Sequence, residues 1–407
     1  MQLIGILAFV AALLFSVMVH EFGHLIMARR FGMKVTEFFL GFGAKIWSTV
    51  RGETEFGIKA IPAGGYCRIE GMSPGDPHAN DPRAFYRATS GRKLIVLGAG
   101  SFLHFVLGFL LLFVLFAGIG TTQLTSTIGE VSPCVPIFGS TQGCKGNNTV
   151  SPAAAAGLKS GDRIVSINGA RITNWATDVE RIRKSAGKEL VFGIVRTTAG
   201  GIGVSEEEMT PNLVIPITPI ARTIEGKVYG FIGIGNTVAT VRTSPLAAVG
   251  KSVSTTGQFI KASFKSLVSL PAKIPALWSQ TVAGRERDPE GLVGVVGVAR
   301  VSGQAVGSNA LTPTERIGTF VIIIASLNIF VGIFNLLPIL PLDGGHMAVA
   351  IADEIRAFIA RLRGRSRPKA IDVAVLTPVT MVIFVLLAGL TLLLLVADIV
   401  NPINLNL

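Results

Sequence analysis

Four apolar runs, at about residues 3–28, 94–119, 317–340 and 376–400, constrain this 407-residue chain more than any other feature. About 20 apolar residues cross the hydrocarbon core of a bilayer as a helix, so each run is a candidate span. Hydrophobic residues make up 49% of the chain, in keeping with a membrane protein. The first run has no basic residue before it and no small-residue cleavage site after it, so it is expected to be retained rather than removed as a signal peptide. The connections 29–93 and 356–369 are rich in Arg and Lys, an excess that marks cytosolic loops. Both termini and segment 120–310 are then expected outside. The net charge of +12 reports topology and contact with lipid headgroups. No nucleic-acid motif is present and no nucleic-acid partner is expected.

Between the runs the composition changes. Residues 53–71 alternate Phe56, Ile58, Ala60, then Tyr66 and Ile69, interrupted by Pro62-Ala63-Gly64-Gly65, which predicts a β-hairpin turning at those four residues. The stretch after it is polar and turn-rich, and His78 reads as an ordinary surface histidine. Segment 120–242 combines Ala/Gly turns, a tight Asn168-Gly169 turn, an amphipathic helix over 175–185 and further strands at 190–197 and 213–220, an α+β module. Segment 243–310 spaces Lys251, Lys261, Lys265 and Lys273 among apolar residues, which suits a helix lying in the membrane interface or packed on that module. The expected division is 1–119 with two spans and the hairpin, 120–242, 243–310, and 311–407 with two spans. Cys134 and Cys144 fall in the outside module, where a disulfide could form, while Cys67 is expected cytosolic and reduced.

The chemistry concentrates in His20-Glu21-Phe22-Gly23-His24. On a helix His20 and His24 share one face, so two neutral imidazoles can grip one zinc ion. Glu21 can then serve as general base toward water. Ionisable groups inside a span are costly and mark functional sites. Catalytic zinc takes three protein ligands and leaves one position open. Candidates for the third are His104 in the second run, and Asp343 and His346 near the end of the third. Asp343 is favoured. The first and third runs both start outside, and each carries its motif near its cytosolic end. Gly344-Gly345 allows close backbone approach there, and Pro338 and Pro341 break the helix.

HExxH in the first span, Asn335-Leu336-Leu337-Pro338 continuing into Leu342-Asp343-Gly344-Gly345-His346 in a later one, and KAIPAGGYCRIEGM and ADIVNPI elsewhere resemble the site-2 protease family, especially its actinobacterial members. The pieces Ala156-Gly157-Leu158, Gly161-Asp162 and Ile167-Asn168-Gly169 resemble a bacterial PDZ domain, a fold that binds extended peptides by strand addition. The fold implied is a mainly α polytopic membrane protein with about four transmembrane helices, a membrane-associated β-hairpin and an inserted extracytoplasmic α+β PDZ domain. The activity implied is that of an intramembrane zinc metalloprotease, with one Zn2+ held by His20, His24 and Asp343 and with Glu21 as catalytic acid/base. The resemblance also implies that Asn335 contacts substrate or the developing oxyanion. It implies that the hairpin, with Ile58, Ala60, Gly65 and Tyr66, pairs with unwound substrate. Gly344 and His104 would stand behind the ligands. The family's AGPxxN pattern is departed from here: Ser101 replaces the proline and His104 the asparagine. Implied partners are single-span membrane proteins, such as anti-sigma factors first cut by a site-1 protease, a peptide or protein at the PDZ module, and membrane lipid. The location implied is a bacterial cell membrane, with the active site toward the cytosol. Two rivals are a PDZ-bearing membrane scaffold with a structural zinc, which would need a fourth ligand, and a metal transporter, which would need polar residues aligned through several spans.

Overall fold

The computed structural model describes residues 1–135, 149–196, 210–224, 227–282, 285, 287–288 and 291–403. The chain divides into two units, Met1–Gly120 with Arg242–Leu407, and Thr121–Val241.

The first unit is built from helices. Helix α1 (Gln2–Arg30) is followed by strands β1 (Val35–Arg51) and β2 (Thr54–Ile69), and then by α2 (Ser90–Phe113), which continues as a π-helical segment, Val114–Ile119. The unit resumes after residue 241 with α5 (Pro245–Val282), α6 (Val295–Gly307), α7 (Pro313–Asn335), α8 (Asp343–Leu362) and α9 (Thr377–Val400). Among the described residues, four helices are long and apolar enough to cross a membrane: α1, α2 with its continuation, α7, and α9 with the 3-10 turn before it. Their exposed apolar residues, such as Leu7, Phe102 and Leu386, suit contact with hydrocarbon rather than water. Helix α7 begins on a capping box, in which Thr312 and Glu315 satisfy each other's backbone amides and Pro313 occupies the first turn. It ends at Asn335, five residues short of the apolar run, because the chain turns at 336–342 before entering α8.

Helices α1, α2 and α7 pack against one another, and α2 also meets α8. Helix α6, too short to span, fills the space beside α1, α7 and α9. Its approach to α1 is close: a Cβ on Gly5 would lie 2.9 Å from the Gly303 Cα. The long amphipathic helix α5 packs along α2, α7 and α9 within the helical unit. Lys251 on α5 sits 4.4 Å from the centroid of the Phe116 ring, an apolar seat for a charged residue.

The hairpin differs from the sequence expectation. Its turn is Gly52-Glu53, where Gly52 adopts φ +66°, and Pro62 to Gly65 lie inside β2. Strand β1, which the sequence reading left unassigned, pairs with two parts of β2. Residues 37–40 register with 65–68 on one side and with 55–58 on the other. Pro62, which has no N–H to give a ladder, falls on an exposed stretch. His78 is exposed, as expected, and its Nδ1 is 2.8 Å from the buried Glu70 carboxylate, which also accepts from the Thr36 hydroxyl at 2.6 Å.

The second unit runs from β3 (Thr121–Val131) through β4 (Cys134–Val135), β5 (Thr149–Val150), α3 (Pro152–Ala155), β6 (Arg163–Ile167), β7 (Ala170–Arg171), α4 (Trp175–Arg183), β8 (Leu190–Val195), β9 (Leu213–Ile217), β10 (Ile220–Ile224) and β11 (Lys227–Phe231) to β12 (Ile234–Val241). Its main sheet has the order β12-β3-β6-β8-β9, with β7 beside β6. Asn168 and Gly169, both at positive φ, make the tight turn between β6 and β7. Ile164, Ile167, Phe192 and Ile194 of the sheet bury against Trp175 and Ile182 of α4. Asp162 is buried, which alone would raise its pKa, but it stays below the usual carboxylate range because the Arg196 guanidinium donates to both its oxygens at 2.6 Å. The expected Cys134–Cys144 pairing cannot be described, since Cys144 lies outside the described residues.

Helix α9 is held by its end. None of its most apolar stretch is buried by described protein, yet Asp398 is 2% exposed. Asp398 accepts from the Arg287 guanidinium at 2.8 Å and from the Gly297 amide at 2.7 Å, so it caps the start of α6 as well as pairing a buried cation. Arg287 also donates to the Leu292 and Asn401 carbonyls. Removing one partner of a buried pair costs about 3–5 kcal/mol. Asp398→Asn is therefore expected to lower the thermal unfolding midpoint in detergent, with partial recovery on adding Arg287→Leu. An unchanged midpoint in the single variant would show that the pair does not anchor α9.

Candidate metal centre

Helix α1 carries His20, Glu21 and His24 in its last three turns, and the turn 336–342 delivers Asp343 to the first turn of α8. Asp343 thus does not close the third span; it starts the next helix. Three side-chain atoms able to hold a metal converge. His20 Nε2 and His24 Nε2 lie 3.1 and 3.3 Å from Asp343 Oδ2, and 3.1 Å from each other.

The tautomer of His24 is fixed by its surroundings. Its Nδ1–H donates to the Val96 carbonyl at 2.8 Å, which leaves a lone pair on Nε2. An oxygen and a nitrogen lone pair facing each other repel unless a cation or proton lies between them. Ligands about 2.0–2.1 Å from a tetrahedral zinc stand roughly 3.3 Å apart, which matches the three separations. The donor set, two imidazoles and a carboxylate, is also one that zinc takes. The residues therefore fit the ion. His20 Nδ1 is buried without a hydrogen-bond partner.

Small residues make the convergence possible. A Cβ on Gly100 would lie 2.6 Å from the His20 ring, and one on Gly23 would lie 2.6 Å from the Ala99 carbonyl. Both glycines are needed for α1 and α2 to meet at the site. On the other side, a Cβ on Gly344 would come within 2.3 Å of the Leu336 carbonyl, and one on Gly345 within 2.5 Å of the Leu340 amide. Packed that closely, the turn presents Asp343 toward α1.

The other sequence candidates take different places. His346, on the same helical turn as Asp343, lies outside the three-atom donor cluster, as does His104. The His104 ring is 5.0 Å from that of His20, centroid to centroid, and its Nδ1 is 2.8 Å from Asn328 Oδ1. Asn328 Nδ2 donates to the Ile324 carbonyl at 2.8 Å, so its oxygen faces His104 and accepts from Nδ1–H. Asn328, only 1% exposed, is a site residue that the sequence reading missed; its one signal was a lone amide in the middle of a span. Ser101, in the place of the family's proline, is fully buried with its hydroxyl unpartnered. Asn335 is the last residue of α7 and half-buried.

The hairpin lies against α1 beside this centre. A Cβ on Gly65 would meet Met18 Sδ at 2.8 Å, two residues before His20. Cys67, two residues further along β2, lies close enough to Glu21 to feel its charge. Gly65 and Tyr66 each have one register partner, Leu40 and Phe39, whereas Ile58 is flanked by both Leu40 and Trp47 and has no free side. Ala60 is exposed. The Tyr66 hydroxyl donates to Glu37 and accepts from Lys59 Nζ at 2.6 Å. That hydroxyl is the main reason Glu37 sits below the usual carboxylate range. Burial pushes the Cys67 thiol up to about 12, with Glu21 adding to the shift, so it remains a neutral thiol.

Second-sphere changes around a metal typically cost 10–100-fold in affinity. Gly100→Ala, which drives a methyl group into the His20 ring, is expected to lower zinc affinity by roughly 10–100-fold. Metal analysis of the purified variant against a chelator series measures this. Wild-type affinity would mean that α1 and α2 can separate without disturbing His20.

Comparison with known proteins places this geometry in context. The family model described as peptidase family M50 matches residues 8–385. The zinc metalloprotease Rip1 of Mycobacterium tuberculosis is 35% identical over 98% of each chain. Rip1 of Mycolicibacterium smegmatis is 34% identical, again over 98% of each chain.

Proposed function

The chain belongs to peptidase family M50, the zinc metalloproteases of the site-2 type, and from that premise we propose that it cleaves single-span membrane proteins within or near their transmembrane segment. The observation that carries this reading is the meeting of His20, His24 and Asp343 donor atoms beside Glu21, at the end of an apolar helix long enough to span a bilayer.

In this reading His20, His24 and Asp343 hold the zinc. The chemistry zinc supplies when bound is Lewis acidity, which makes water nucleophilic near neutral pH. A Glu21 carboxylate oxygen takes the proton from the attacking water and returns it to the leaving amide nitrogen. His24 is kept in the correct tautomer by the Val96 carbonyl. Asn335, half-buried at the end of α7, would donate its amide to the substrate carbonyl or the developing oxyanion.

A transmembrane substrate hides its carbonyls in intrahelical hydrogen bonds, so it must unwind before it can be cut. The strand edge at Gly65 and Tyr66 would supply replacement backbone bonds. Gly65 abuts Met18 of α1, two residues before His20. Ile58, paired on both sides, is the weaker candidate for this role.

The basic connections 29–93 and 356–369 support a cytosolic position for the catalytic end of α1, with both termini and residues 121–241 outside a bacterial cell membrane. The latter unit would be a PDZ domain that docks or filters substrates, an assignment supported by its β-sheet, the α4 helix and the Asn168-Gly169 turn. Anti-sigma factors already trimmed by a site-1 protease are the substrates this arrangement suits. A scaffold with a structural zinc is the weaker reading, because such zinc prefers four protein ligands and the described cluster offers three.

The test is cleavage of a single-span reporter by purified protein. Glu21→Gln is expected to lower the rate by roughly 10²–10⁴-fold while zinc is retained. Asp343→Asn should lose both zinc and activity. Full cleavage by Glu21→Gln would refute the assigned role of the carboxylate.

A further inference from the structure

Where the second span begins, the chain forms an open-mouthed cavity of about 310 Å³. Its wall comes from residues 86–93 at the start of α2, from α8, and from residues 367–370 beyond α8. Five cations line it, Arg87, Lys93, Arg356, Arg367 and Lys369, against one carboxylate, Asp353.

Two of these cations have acidic partners. Arg356 is 3.2 Å from Asp353, and Arg367 is 3.0 Å from Glu354. Asp353 is further occupied by the Ile371 amide at 2.9 Å, and Glu354 by the Ser90 hydroxyl at 2.9 Å. Arg87 bonds only to neutral acceptors, the Ala79 carbonyl and the Tyr86 hydroxyl. Among the described residues, no carboxylate lies within ion-pair distance of Arg87, Lys93 or Lys369. Three cations without a carboxylate at ion-pair distance therefore line one recess, where Lys93 is half-buried and Asp353 is the carboxylate whose charge reaches it. Thr89 and Ser90, which also line it, open α2 without a side-chain cap, so the positive end of the helix adds to the same field.

Like charges held together in a recess are relieved by an anion with several acceptor oxygens, and a phosphate ester has that form. The cavity stands at the end of a membrane-spanning helix, the depth at which lipid phosphates lie. We propose that this cavity binds the phosphate of an anionic phospholipid headgroup. Basic recesses between spans are suited to such lipids. The inference is independent of the peptidase reading and rests only on α2 being a span.

The test uses full-length protein in nanodiscs of phosphatidylcholine, with phosphatidylglycerol titrated in and bound lipid measured by native mass spectrometry. Lys93→Gln and Lys369→Gln are each expected to weaken phosphatidylglycerol binding roughly fivefold, and Lys93→Arg to preserve it. Lys369 is exposed, so its substitution leaves the fold intact; thermal unfolding recorded alongside checks both variants. Arg365→Gln, an equal change of charge at an exposed position outside the cavity, should leave binding unchanged. The proposal fails if the double variant binds phosphatidylglycerol like wild type, or if Arg365→Gln weakens it equally. Displacement of the lipid by millimolar inorganic phosphate would assign the site to a soluble phosphate and overturn the lipid reading.

Discussion

Three lone-pair donors, two from one helix and one from a helix more than three hundred residues later, are held 3.1–3.3 Å apart. Such an arrangement is stable only around a positive charge. Everything near it follows from the need to bring α1, α2 and the turn before α8 that close. The contact is made by absence of side chain: Gly23 and Gly100 where α1 crosses α2, Gly344 and Gly345 where the turn folds under Asp343. Membrane helices gain little from apolar contact with one another, because lipid tails are equally apolar. Close backbone approach and polar pairing hold them instead.

His104, Asn328 and Asp398 obey the same logic. His104 is matched to Asn328, Asn328 to a carbonyl of its own helix, and Asp398 to Arg287 and to the amides that open α6. Each is a polar group that would be expensive against hydrocarbon and is satisfied by a neighbour from another part of the chain. His104 and Asn328 link α2 to α7 beside His20.

The apolar runs announced four helices because length and composition alone determine what can cross a bilayer. The spacing of His20 and His24 likewise required only the helical period. Other features depend on partners far along the chain. The end of α7 could not be placed from its apolar run, which continues through Leu340, because the stop is set by how tightly 336–342 packs on Gly344. The closing turn of the hairpin went to Gly52-Glu53, while the Pro62-Ala63-Gly64-Gly65 signal falls where β2 doubles back, so that 55–58 and 65–68 flank residues 37–40 from opposite sides. Strand β1 was hidden by Gly41, Gly43 and scattered charges that blur its alternation. Helix α5 has the pattern of a surface-lying helix, and only its packing reveals that spans cover part of it.

Helix α9 behaves mechanically as a mast stepped at its foot. The clasp around Asp398 fixes its end, while α5 and α6 touch part of its length and no residue of its most apolar stretch is buried. Exchange of one aliphatic residue for another along that length should accordingly be silent, and the tolerance should end abruptly at Ala397 and Asp398.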